Sequence, residues 1–224
     1  MCVEIPDVRV GEPMRCGGTT VFPLFARQPL FLANSETVSY ALAHEAIAAK
    51  SVVVCEVSEE GEVPSLLVDN RDDQPVLFVE GTEVCGGRQN RVLCSSILAA
   101  GSSRTRLPVV CTQRKRWEFT GRQFATGLHS PPSLRHVLRD GHRPDQSRIW
   151  AAIRRKHRQL GVQSQSENLS DALKKHGERG DELRGTLPYA EGASGIAVAL
   201  GGRIVTVDIF DKATTLQKLW RGIL

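Results

Sequence analysis

Gly86-Gly87-Arg88-Gln89-Asn90-Arg91 is the stretch of this chain whose residue types and spacing could do chemistry. Two adjacent glycines let a backbone turn tightly and come close to a ligand. Arg88 and Arg91 present planar forks of donors, while Gln89 and Asn90 each offer a donor and an acceptor. Arg91 could hold a phosphate or carboxylate through two parallel hydrogen bonds, and Gln89 or Asn90 could read a base edge or a ribose. The plainer alternative is a network in which these side chains tie loop backbones together. Just upstream, Glu80 and Glu83 flank Gly81. Either could serve as a general base or accept a ribose hydroxyl. The alternative is a solvated turn, or pairing with Arg88 or Arg91.

Arg114, Lys115 and Arg116 beside Trp117 make the densest basic patch near an aromatic, extended by Arg104, Arg106 and Arg122. Such a patch can bind single-stranded nucleic acid through phosphates and stacking. With three Trp and two Tyr the chain lacks a stacking platform, so a solvated strand end is the better reading. Arg154 to Arg158 reads as the charged outer face of a helix. Cys111 could be a nucleophile, its pKa lowered by Arg114 and Arg116. The apolar approach from Leu107 to Val110 argues for burial instead, and Cys85 beside the glycines is the more accessible thiol. No histidine stands near either to act as its base. His129, His136 and His142 lack metal-ligand spacing, so we expect no metal, and nothing calls for a cofactor.

Composition sets the limits around these residues. The 224 residues can bury a sizeable core, and we expect a single α+β domain over 1–224. Hydrophobic residues make up 41% and charged residues 24%, near the globular average. A net charge of +4 permits anionic partners without demanding nucleic acid. No apolar run approaches membrane-span length, and Met1-Cys2-Val3-Glu4 has neither region of a secretory signal. We therefore expect a cytoplasmic protein with no membrane partner. The six cysteines form no C-x-x-C pair and read as reduced, buried hydrophobes.

The elements that must position the motif are mainly strands in the first half. Val52–Val57, Leu66–Val68, Val76–Val79, Arg91–Ala100 and Leu107–Cys111 are short apolar runs separated by Asp69-Asn70, Glu80-Gly81 and Gly101-Ser102-Ser103. They predict an antiparallel sheet or sandwich. Asn34-Ser35 can cap one early helix with Val38, Leu42, Ala46 and Ala49 along one side. Beyond Trp117, helices are predicted from Pro131-Pro132 to Leu138, from Pro144 to Leu160 with Gly161 as the stop, and after a Ser166 cap through Leu169 and Leu173. Gly177–Gly185 reads as a polar loop. Ile196–Leu200 and Ile204–Ile209 flank Gly201-Gly202, a hairpin signal, and Leu216, Leu219, Trp220 and Ile223 line one face of a final docking helix. The fold class is α+β: an antiparallel β-rich first half, a helical middle, then a hairpin and a helix.

These residues resemble a known family. Glu80-Gly81-x-Glu83, the Gly86–Arg91 motif, Leu107-Pro108-Val109-Val110-Cys111 and Arg116-Trp117 carry the resemblance. Downstream, so do Gln146-x-x-Ile149-Trp150-x-x-Ile153, Ser164-x-Ser166 before Leu169, Gly195 to Ala199 with Gly202, Asp208-x-Phe210 and Lys218-Leu219-Trp220. They are similar to the ADP-ribosylglycohydrolase- and rhodanese-phosphatase-associated protein domain family, from about Glu36 to the end (36–224), leaving 1–35 as an N-terminal extension that packs on the domain. The resemblance implies a place in ADP-ribose or nucleotide-derivative metabolism. It also exposes a departure. Where the family pattern leads us to expect Cys-x-Glu-x-Gly-Arg-Trp, this chain has Cys111-Thr112-Gln113-Arg114-Lys115-Arg116-Trp117. Gln113 cannot act as a carboxylate base.

Together these features predict a pocket built from Glu80, Glu83, Gly86, Gly87, Gln89, Asn90, Arg91, Arg116 and Trp117, binding a small anionic or nucleotide-like ligand. Glu80 and Glu83 are the acid or base candidates if the chain is a hydrolase or transferase on a ribose derivative. Two alternatives stand beside this: a non-catalytic binding or scaffold module for a partner enzyme of ADP-ribose processing, and a nucleic-acid binder using residues 104–122.

Overall fold

A computed structural model describes residues 7–26, 38–140, 144–175 and 177–224. Two compact units emerge: residues 39–176, and residues 1–38 together with 177–224.

The 39–176 unit opens with β4 (Ala41–Leu42) and α1 (Ala43–Ala48), preceded in the chain by β1 (Val8–Val10), β2 (Met14–Cys16) and β3 (Thr19–Ala26) of the other unit. The early helix is thus shorter than expected. Leu42 pairs in parallel with Leu77, so its backbone is committed to a sheet and the helix starts after it. Val38 is exposed, and the Asn34-Ser35 cap lies outside the described residues.

β5 (Val52–Glu56), β6 (Ser65–Asn70), β8 (Thr82–Gly86), β9 (Arg91–Leu93), β11 (Ser103–Cys111) and β12 (Phe124–His129) form one antiparallel sheet in the order β12-β8-β9-β11-β6-β5. An isolated bridge between Cys55 and Gln123 links the neighbourhood of its two edge strands, which curls the sheet towards a barrel. β7 (Val76–Phe78) pairs with β4 on one side and β10 (Ile97–Ala99) on the other. Three boundaries differ from expectation. Asp69 and Asn70 continue β6, because they pair with Val53 and Val52 of β5. The 91–100 run divides into β9 and β10, which join different sheets. β8 and β12, which the predicted apolar runs did not include, are strands because they pair with each other.

Period-two alternation sorts the side chains of these strands between two cores. Val54, Val68, Val84, Leu93, Leu107 and Phe124 fill one face with α1. Val92 and Val110 point the other way, onto helices α2 (Pro132–Arg139), α3 (Gln146–Leu160) and α4 (Leu169–Lys175) through Leu134, Leu138, Ile149, Ile153 and Leu169. Pro132 stands at the first turn of α2, where its missing N–H costs nothing. Asp145 caps α3 by accepting from Ser147 N at 2.8 Å, and Gly161 ends it in the left-handed conformation. The α4 cap is Asn168 rather than Ser166: Asn168 Oδ1 accepts from Ser170 N at 3.2 Å.

In the other unit, β13 (Gly195–Leu200) lies between β3 and β14 (Arg203–Ile209), with β1 and β2 beyond. Gly201 and Gly202 take φ of +55° and +79°, the left-handed pair that a two-residue hairpin requires. The final helix α6 (Ala213–Ile223) buries Leu216 and Trp220 against Val21, Ile196 and Val198, while Leu219 is half-buried. Residues 177–185, expected as a loop, belong to helix α5 (Gly177–Thr186). Leu183 packs on the same core as Leu187, and Arg184 pairs with Asp181 one turn back, which offsets the low helix propensity of its glycines. No helix among the described residues is long and apolar enough to cross a membrane.

Candidate functional site

The 86–91 motif is the β8–β9 connection, and its polar side chains divide between inside and outside. Gly87 has φ +49°, and a Cβ there would lie 2.4 Å from Phe124 Cζ and 2.6 Å from Glu56 Oε1. Only glycine fits, and the turn it permits decides where each following side chain goes.

Gln89, Asn90 and Arg91 turn inward. Gln89 Nε2 donates to Gln113 O at 2.9 Å, and Gln89 Oε1 accepts from Arg91 Nη1 at 3.0 Å. Asn90 Oδ1 accepts from Gly86 N and from Arg116 Nη2, both at 3.2 Å, and Asn90 Nδ2 donates to Asn168 Oδ1 at 3.4 Å. Arg116 closes the network: its Nε donates to Gln113 Oε1 at 2.7 Å, and its two terminal nitrogens reach the carbonyls of Gly86, Gly87 and Glu118. Gln113, in the position where an acid was expected, is therefore the hub joining the motif to the 112–123 segment.

Arg91 is wholly buried, the largest such side chain among the described residues. Its facing charge is Glu56, with Nη2 and Oε2 3.9 Å apart. The strand register explains the meeting. Arg91 pairs with Val84 and Cys111, so it shares the face of Val84 and Leu93 rather than that of Val92. Glu56 continues the buried parity of Val52 and Val54 to the end of β5. That parity was the sequence signal for Glu56: an acid in the phase of a buried alternation.

Glu80 and Glu83 are brought neither to each other nor to Arg91. Glu83 pairs with Val92 in the ladder and so faces the helices. There it accepts from Thr112 Oγ1 at 2.8 Å and makes a short hydrogen bond with Ser170 Oγ. Burial raises its carboxyl above the ordinary range, against the lowering effect of those two hydroxyls. Glu80 is held by Arg139 Nε at 2.8 Å and lies 3.6 Å from Arg135 Nε.

Arg88 turns outward. Its backbone N donates to Glu56 Oε1 at 3.0 Å, and its Nη2 donates to Glu59 O at 2.8 Å. Its guanidinium lies 4.8 Å from the Phe119 ring centre and 5.8 Å from that of Trp117. Both rings are nearly half exposed, at 47% and 44%. Here a cleft of about 630 Å³ opens, lined by Cys55, Glu56, Ser58, Glu59, Arg88, Phe119 and Arg122. Sequence reasoning did not assign Glu56, Glu59 or Phe119 to a site. Glu56 ends β5, Glu59 lies in the β5–β6 loop and Phe119 in the 112–123 segment, far apart in the chain.

Four more residues of the basic stretch take part in ion pairs, with Glu167 and Asp69 each shared between cations. Arg104 pairs with Asp69, Arg106 with Glu62, and Arg114 and Lys115 with Glu167. Burial sets four of the thiols back from reaction, Cys55 of the cleft wall among them. Burial pushes Cys85 up to about 11 and Cys94 up to about 12, and it also raises Cys111, whose Sγ–H donates to Gln113 O. Gln146, at the start of α3, makes reciprocal 2.8 Å bonds with the Cys111 backbone and so substitutes for a strand neighbour there.

No curated protein and no solved structure matches the chain. A family model does, over residues 7–224, beginning upstream of Glu36 because β1 to β3 are part of the matched region. With nearly its whole length matched, the chain belongs to the ARPP-1 family, the ARG and Rhodanese-Phosphatase-superfamily-associated Protein domain.

Proposed function

We propose that the 39–176 unit binds a small anionic, nucleotide-like ligand in the cleft of Glu56, Arg88, Phe119 and Arg122. One observation carries this reading: the glycine turn projects the Arg88 guanidinium against two exposed aromatic rings, in a cleft that Arg122 also lines. An arginine beside aromatic faces offers charge to a phosphate and a flat surface to a base. The cleft volume is in the range of small-ligand sites. ADP-ribose is the first compound to try, because the family is named for its association with ADP-ribosylglycohydrolases. Binding on behalf of a partner enzyme is favoured over turnover, since Glu80 and Glu83 are both engaged elsewhere and neither lines the cleft.

The test is a thermal-shift panel of ADP-ribose, ADP, AMP and ribose 5-phosphate. A compound at a hundred times its dissociation constant adds about 2.7 kcal/mol, or roughly 5–10 °C for a chain of this size. Arg88→Ala should abolish most of the shift. A panel in which no compound moves the melting temperature refutes the proposal.

A further inference from the structure

Glu56 of the cleft wall and the buried Arg91 form a charged pair built with a gap. Glu56 Oε2 and Arg91 Nη2 are 3.9 Å apart, beyond hydrogen-bond distance, and neither atom has a hydrogen-bond partner among the described residues. Of the pair's other polar atoms, Arg91 Nε is likewise without a partner among the described residues. Glu56 Oε1 accepts from Arg88 N, and Arg91 Nη1 donates to Gln89. Two of the three unsatisfied atoms, Glu56 Oε2 and Arg91 Nη2, therefore face each other. The Glu56 side chain is only 3% exposed, yet it belongs to the cleft wall. Gly61 packs over the same carboxylate, where a Cβ would come within 3.3 Å of Oε2.

The chemistry of the gap selects what can enter it. A phosphate oxygen only accepts and is repelled by Glu56. An ammonium only donates and is repelled by Arg91. A hydroxyl donates to the carboxylate while accepting from the guanidinium, and it is small enough to touch both. We infer that Glu56 and Arg91 together read a sugar hydroxyl of the ligand, leaving its anionic end to Arg88 and Arg122. This rests on the ligand-binding reading above and adds a specificity to it. Loss of the hydroxyl leaves two buried charged groups without a bridge, so a deoxy analogue should bind about ten- to a hundredfold more weakly.

Isothermal titration calorimetry on the full chain decides it. ADP is compared with 2′-deoxy-ADP and 3′-deoxy-ADP, and ribose 5-phosphate with 2-deoxyribose 5-phosphate. The expected result is the stated loss for at least one deoxy compound, and a narrower ratio for the same pair in Glu56→Gln. Equal affinities within every pair overturn this inference and leave the ligand reading intact. Absence of binding by all of them overturns both. An unchanged ratio in a folded Glu56→Gln removes Glu56 from the role, and if that variant does not fold, the ratio in the parent chain alone separates the outcomes.

Discussion

Arg88 and Arg91 stand three residues apart in one motif, and their alanine variants should fail in opposite ways. Arg91 is fully buried; its guanidinium holds Gln89 Oε1 at 3.0 Å and offsets the charge of Glu56. Arg91→Ala leaves Glu56 as a buried charge without its counterion and Gln89 Oε1 without its donor. Breaking a buried pair from one side costs about 3–5 kcal/mol. At roughly 2–4 °C per kcal/mol for a chain of this size, the melting temperature should fall by about 10 °C. Arg88 is half-buried, and its side chain makes one hydrogen bond, to Glu59 O, besides its ring contacts. Arg88→Ala should cost about 1 kcal/mol in stability while weakening an anionic ligand by about 1.5–3 kcal/mol. Urea unfolding followed by far-UV circular dichroism reads stability, and calorimetry reads affinity. If Arg91→Ala unfolds within about 1 kcal/mol of the parent, the buried-pair argument is wrong.

Glu83 should give a pH signature. Burial raises its folded pKa above the ordinary 4.5, so the unfolded chain releases the proton first. Its contribution is fully present below the unfolded value and is lost as pH rises through the folded one, with a slope of up to about 1.4 kcal/mol per pH unit. Glu83→Gln should remove that slope, and urea midpoints of variant and parent that run parallel across the window count against it. Gly87→Ala should cost about 1–3 kcal/mol in the same assay, since its Cβ meets Phe124 at 2.4 Å on a left-handed backbone; an unperturbed midpoint would contradict that turn. Cys85 and Cys94, with thiols held near 11 and 12, should resist iodoacetamide at about pH 8 until the chain unfolds, and peptide mass spectrometry would expose early labelling.

Local chemistry was enough to read several elements from the sequence. The Gly201-Gly202 hairpin, the Pro132 start of α2, the Gly161 stop of α3 and the Leu216/Trp220 stripe each rest on interactions within a few residues. The left-handed turn at Gly87 is local in the same way, although the residues that bar a Cβ there, Phe124 and Glu56, are distant in the chain. Whatever depends on a distant partner was decided by the tertiary structure. β8 and β12 are strands because each supplies the other's hydrogen bonds, and Leu42 leaves the helix because Leu77 pairs with it. The site divides in the same way. The sequence marked Arg88 to Arg91 as a polar cluster, but it could not tell which side chains would face inward. Strand register set Glu83 on one face and Arg91 on the other, and contacts between distant segments brought Glu56 and Phe119 to Arg88. A period-two pattern reveals that two faces exist, while the identity of what covers each face is a property of contacts between residues far apart in the chain.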